Sequence, residues 1–300
     1  MRPRSTLAAL FVVALGLAGC SSAADGPASG EPSSSADAAA GSTVSVVAAF
    51  YPLEYAAQRV GGDRVTVTGL TPAGAEPHDL ELTAQQVAQV ADADLVLYLP
   101  GFQPAVDEAV AQQAPDTSLD VTEGLTLLPG DPHVWLNPLN MAAIGESVAE
   151  RLSTLDATGA GAFADGAASL SADMTALDQE WAQGTATCEN RDLVVSHEAF
   201  GYLADRYDLT QVGISGISPE AEPSPQQVAE IARFVRDNGV TTVYFETLVD
   251  PQVAQTVADE AGATTAVLDP LEGLAPGSDQ DYLSVMRTNL DTVRTGQRCT

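Results

Sequence analysis

The run Val240-Thr241-Thr242-Val243-Tyr244-Phe245 is followed by Asp250-Pro251-Gln252-Val253, by Val257, by Gly262, and then by Ala266-Val267-Leu268-Asp269. The first and last segments are short and rich in β-branched or aromatic residues, which reads as strand. Between them a proline sits at a helix start, two valines repeat at a four-residue interval, and a glycine marks the stop. Strand, helix and strand in that order predict parallel neighbours in an α/β sheet, because a parallel return needs a crossover of this length. Just upstream the helix grammar recurs. Ser224 caps, Pro225 takes the first position, Val228, Ile231, Ala232 and Val235 share one face, and Gly239 ends the turn.

Working outward, residues 44–49, 65–70, 95–99 and 193–195 are further strand candidates at the spacing of βα units. Residues 138–183 contain no strand-like run and read as two helices, the second spanning about 162–183. The expected fold is therefore α/β. Two (β/α) lobes, each with a mainly parallel sheet, are joined by one long helix, with an N-terminal lobe over 44–158, the linking helix over 159–185 and a C-terminal lobe over 186–300. No short-period repeat is present.

The first twenty residues concern address rather than fold. Arg2 and Arg4 precede the apolar run 7–17, which is too short to span a bilayer and ends in Leu17-Ala18-Gly19-Cys20. Residues 1–19 read as a signal peptide. The Leu-Ala-Gly-Cys ending resembles the lipobox of bacterial lipoproteins, which implies lipid attachment at Cys20 and anchoring to the extracytoplasmic face of the cell membrane. Residues 20–43 are rich in Ser, Ala, Gly and Pro and read as a tether.

Composition narrows the chemistry. With 300 residues, 45% of them hydrophobic and 18% charged, the chain has material for two compact domains with separate apolar cores. All 12 basic residues are arginine. A Walker-type phosphate loop and Schiff-base catalysis are thereby excluded, since both need a lysine. The formal net charge of -29 disfavours nucleic acid and anionic membranes as partners and suits cations.

Only three histidines exist, and each lies in a loop rich in turn residues: Glu76-Pro77-His78-Asp79, Asp131-Pro132-His133-Val134-Trp135, and Ser196-His197 directly after a strand. Asp269 likewise follows a strand. Ligands of open α/β sheets bind beyond the carboxyl ends of the strands, so strand-end residues of two lobes can meet in one cleft. Three imidazoles and one carboxylate, His78, His133, His197 and Asp269, then form a candidate four-coordinate site for a divalent transition metal. Glu246, after Val243-Tyr244-Phe245, is a candidate for orienting a ligating histidine from outside the shell, or for capping the next turn.

At these residues a resemblance appears. Phe50-Tyr51-Pro52-Leu53, Glu-Pro-His-Asp at 76–79, His133-Val134-Trp135-Leu136-Asn137-Pro138, Ser218-Pro219-Glu220-Ala221-Glu222-Pro223-Ser224 and Leu268-Asp269-Pro270-Leu271 together resemble the zinc and manganese substrate-binding proteins of bacterial ABC importers. The resemblance implies two lobes joined by a rigid helix and metal between them, on His78, His133, His197 and Asp269. It further implies an ABC permease as partner, Zn2+ as cargo with Mn2+ as the alternative, and no catalysis by a monomeric receptor. Manganese members usually have glutamate where this chain has His197, which favours zinc. Many dedicated zinc members carry a long His-rich loop before the second histidine, whereas residues 124–131 are short and His-free.

A cell-surface zinc hydrolase is the competing class, with Glu198 or Glu246 as general base. The helical zinc-protease motif needs a second histidine where Gly201 stands, and the nucleophile elbow is absent from Gly213-Ile214-Ser215-Gly216-Ile217. Cys188 and Cys299 flank the C-terminal lobe. In an oxidising compartment they are expected to form a disulfide, the alternative being thiolate ligation of zinc.

Overall fold

A computed structural model of the protein describes residues 43–300. The signal peptide and Cys20 lie outside the described residues.

In the first lobe β1 (Val44–Ala48) leads into α1 (Tyr51–Gly61), followed by β2 (Val65–Gly69), α2 (Ala84–Asp92), β3 (Leu95–Tyr98), α3 (Pro104–Gln113) and β4 (Ser118–Asp120). The strands pair in parallel in the order β2-β1-β3-β4. Two long helices follow, α4 (Pro138–Leu155) and α5 (Ala160–Gly184). The second lobe runs β5 (Asp192–Val195), α6 (Gly201–Arg206), β6 (Thr210–Gly213), α7 (Pro225–Asp237), β7 (Thr242–Phe245), α8 (Gln252–Ala261), β8 (Thr264–Val267) and α9 (Tyr282–Gly296). Its sheet has the equivalent parallel order, β6-β5-β7-β8.

Local signals act as their chemistry demands. The Ser224 side chain accepts from Gln227 N at the start of α7, with Pro225 in the first turn, and Gly262 closes α8 in the left-handed region at φ 74°. The strand candidate at 240–245 begins two residues later, because Val240 N is drawn back to Val235 O to close α7. Two strands had no counterpart in the pattern. β4 (Ser-Leu-Asp) and β6 (Thr-Gln-Val-Gly) are short, polar edge strands, of the kind that lack a hydrophobic run to announce them.

The expectation of separate cores is corrected. One apolar cluster of buried residues runs from β1 and β3 through Trp135, α4 and α5 into Leu193, Leu271, Tyr282 and Val293 of the second lobe. A smaller cluster, including Val194, Val235, Val243 and Val257, joins β5 and β7 to α7 and α8 in the second lobe. α5 is bonded to both sides. Arg59 of α1 donates to Asp173 at 2.6 Å, while Arg206 of α6 makes two 2.8 Å bonds to Asp178 and Arg287 of α9 reaches Glu180. Trp181 stacks on Tyr207 with ring centroids 5.4 Å apart. Cys188, just beyond α5, is disulfide-bonded to Cys299.

Candidate metal centre

Each donor reaches the centre from the carboxyl end of a strand or the loop that follows it. The loop after β2 carries His78, that after β4 leads to His133, and His197 stands two residues past β5. The fourth position is filled by Glu272, in the loop after β8. Nε2 of His133 and of His197 each lie 3.2 Å from Glu272 Oε1, and His78 Nε2 lies 3.4 Å from the same oxygen. One donor atom from each residue lies within 4.8 Å of every other, and all four side chains are buried. Phe102 packs edge-on to His78 at 4.6 Å between centroids, and Trp135 lies 5.2 Å from the His133 ring, so the inner wall is apolar.

Asp269 is not in this group, which corrects the expectation for it. Its Oδ1 accepts from Leu271 N at 2.7 Å and its Oδ2 from the Thr247 hydroxyl at 2.8 Å. Asn289, itself buried, donates to Asp269 O and accepts from Asp269 N. An aspartate two residues past a strand readily folds back on the backbone two positions ahead, and that turn consumes its carboxylate. The turn does other work. Leu271 is held at φ 58°, a left-handed conformation unusual for leucine, and Trp135 Nε1 donates to Pro270 O at 2.7 Å from the first lobe. The backbone so bent delivers the longer Glu272 side chain to the three imidazoles. Its sequence signal was present: Glu272 is the single charge in the apolar run Pro270-Leu271-Glu272-Gly273-Leu274-Ala275.

The outer faces of two imidazoles are clamped by carboxylates. His197 Nδ1 lies 2.8 Å from Glu246 Oε1, which also accepts from the Ser196 hydroxyl, so Glu246 is spent on orienting His197. His133 Nδ1 lies 2.7 Å from Asp131 Oδ1, a partner that sequence reasoning missed although it stands two residues away in Asp-Pro-His. Such partners fix each ring with Nδ1 protonated and leave Nε2 as the donor. Glu76 Oε1 accepts from His78 N at 2.7 Å.

The charges follow from this packing. Burial opposes protonation of His197, but its hydrogen bonds to Glu246 and Glu272 outweigh it and raise the pKa to about 10. The same contest, with Asp131 and Glu272 as partners, raises His133. Burial works to raise Glu272, yet the three imidazoles hold it well below the ordinary carboxylate range. Glu76 is pushed up to about 8 by burial and by the charge of Glu272. Two buried oxygens, Glu272 Oε2 and Glu76 Oε2, have no hydrogen-bond partner among the described residues. Three nitrogens and a carboxylate converging on one point, with an oxygen of that carboxylate unsatisfied, fit a divalent transition cation.

The fold and this centre define a two-lobed α/β binding protein whose cation-type site is buried between the lobes. Residues 46–296 match the family described as zinc-uptake complex component A, periplasmic (ZnuA), and the chain belongs to that family. It is 33% identical over 277 residues to the zinc-binding lipoprotein AdcA of Streptococcus pneumoniae, covering 84% of this chain and 55% of AdcA. The chain thus spans about half the length of that relative. It is 30% identical over 281 residues to the high-affinity zinc uptake system protein ZnuA of Bacillus subtilis, covering 85% of this chain and 88% of that protein. Among solved structures, the Zn(II)-bound ZnuA-like domain of S. pneumoniae AdcA superposes with a TM-score of 0.76 at 34% identity, covering 85% of this chain and 99% of the domain. The resemblance drawn from the motifs therefore holds, and the family is one of zinc-uptake components.

Proposed function

We propose that this chain is the extracytoplasmic, lipid-anchored receptor of an ABC importer. It captures Zn2+ on His78, His133, His197 and Glu272 and passes it to a membrane permease. The observation that carries the reading is the convergence of three Nε2 atoms on Glu272 Oε1, with two of the rings fixed from behind by carboxylates. Imidazole nitrogen is a donor suited to zinc, and a fourfold set of this size suits a tetrahedral ion. Similarity to AdcA and ZnuA, both named for zinc, supports the same cargo. Residues 1–20 support export and lipid attachment at Cys20.

The hydrolase reading is disfavoured: of its two candidate bases Glu246 is committed to His197 and Glu198 is not in the four-residue donor group, and a shell with four protein donors leaves little room for activated water. Manganese remains a weaker competitor in any nitrogen-rich site, being at the low end of the affinity series. The experiment is metal analysis of the protein purified after chelation and reloading with equimolar zinc and manganese. Zinc at one equivalent, abolished in the His197→Ala variant, is expected; manganese retained in preference to zinc would overturn the reading.

A further inference from the structure

A second feature lies beside the centre. A pocket of about 350 Å3 opens at the seam of the lobes, between exposed Ala73 of the first and exposed Ala275 and Gly277 of the second. Buried Glu272 lines it, and so does Glu54 in the first turn of α1. The mouth is pinned by Gly74 N donating to Leu274 O at 2.8 Å.

Glu54 is unusual for a half-buried acid. No hydrogen bond or ion pair reaches its carboxylate from any described residue, and burial alone pushes its pKa up. It is seated against the backbone of Gly69, where a Cβ would come within 2.1 Å of its Oε1. A desolvated carboxylate without a counter-charge is stabilised by a passing cation. A pocket lined by second-lobe residues alone has more acids but the wrong approach: the Glu246 that lines it is bonded to the Nδ1 side of His197, away from the Nε2 atoms. The Glu54 pocket instead meets Glu272, the carboxylate to which all three Nε2 atoms point.

We infer that the pocket at the lobe seam is the entry route for the cation, and that Glu54 is a transit ligand that takes the ion from solvent and relays it to Glu272. The inference rests on the cation-receptor reading. A group that holds the ion only in passage lowers the barrier in both directions, so it changes rates and leaves equilibrium affinity in place.

The test is stopped-flow zinc exchange with the full-length chain against a chromophoric chelator, beside an equilibrium titration. In Glu54→Gln, association and dissociation should both slow, by about three- to tenfold, as expected when a focusing charge is removed from a cleft. The dissociation constant should stay within about twofold of the parent. Gly69→Ala, which keeps the charge but forces the carboxylate out of its seat, should slow exchange likewise. Unchanged association in both variants, or slower association only in a Glu220→Gln/Asp250→Asn variant of the other pocket, would overturn the route. Faster dissociation with lost affinity in Glu54→Gln would also overturn it, since Glu54 would then belong to the resting site. A parent protein that binds no zinc would take down the receptor reading itself, a result separate from any change in rate.

Discussion

Glu272 and Asp269 are three residues apart and divide one task. Glu272 supplies the anionic donor, while Asp269 holds the turn that presents it. Their substitutions should therefore separate. Glu272→Ala should weaken zinc binding by more than the ~10- to 100-fold typical of an outer-shell partner, whereas Asp131→Ala and Glu246→Gln should each fall within that range. Asp269→Asn keeps an oxygen for Leu271 N, so its affinity should remain within about threefold of the parent, the scale of one weakened hydrogen bond. Isothermal titration checks all four, and equal losses in Asp269→Asn and Glu272→Ala would return Asp269 to the shell. Protons compete at the same atoms. His197, raised to about 10, is protonated at neutral pH without metal, so binding must displace a proton from Nε2 and affinity should rise with pH. Titrations at pH 7 in buffers of different ionisation enthalpy should reveal net proton release; its absence would remove His197 from the ligands. For the metal-free fold the sign is opposite. Stability from the raised His197 is fully present below about pH 6.5 and is lost as pH rises through about 10, which thermal melts of chelated protein at pH 7 and 10.5 can follow.

Among the elements, α5 has the clearest mechanical role. Its 25 residues make a rod roughly 37 Å long at 1.5 Å per residue, tied to the first lobe through Asp173 and to the second through Asp178 and Glu180. Asp178 is the buried member, serving Arg206 and the Tyr207 hydroxyl together. Asp178→Ala should cost about 1–3 kcal/mol in denaturant unfolding, by leaving those donors unmatched. A loss much below that would show that the pairing is only a surface ornament of the helix. The linking helix was legible because 138–183 lacks any β-like run, and so were the strands with apolar cores. The three histidines were legible because turn chemistry brackets each. β4 and β6 were not, being short and polar, and the Asp269 to Glu272 exchange was not, because a left-handed Leu271 decides which carboxylate turns inward. Such a backbone choice depends on Trp135 and Asn289, distant in sequence, so the lone charge of Glu272 in its apolar run marks the residue without telling which of the two carboxylates turns inward.

At the scale of the molecule, the apolar cluster passing from one lobe into the other makes the cleft a seam in a shared core rather than a hinge between two bodies. Loading with zinc should raise the melting temperature, as any ligand exclusive to the folded state does, without a large change in radius of gyration by X-ray scattering. A marked contraction on loading would contradict the shared core. The donors are also far apart along the chain: His78 and Glu272 meet across 194 positions. During synthesis His78, His133 and His197 emerge before Glu272, and the first sheet can form before the second exists. A nascent chain thus holds its nitrogen donors on separate, unassembled pieces. The four-donor shell is complete only once the last lobe has closed, and any ion met earlier by the growing chain finds fewer than four of its donors in place.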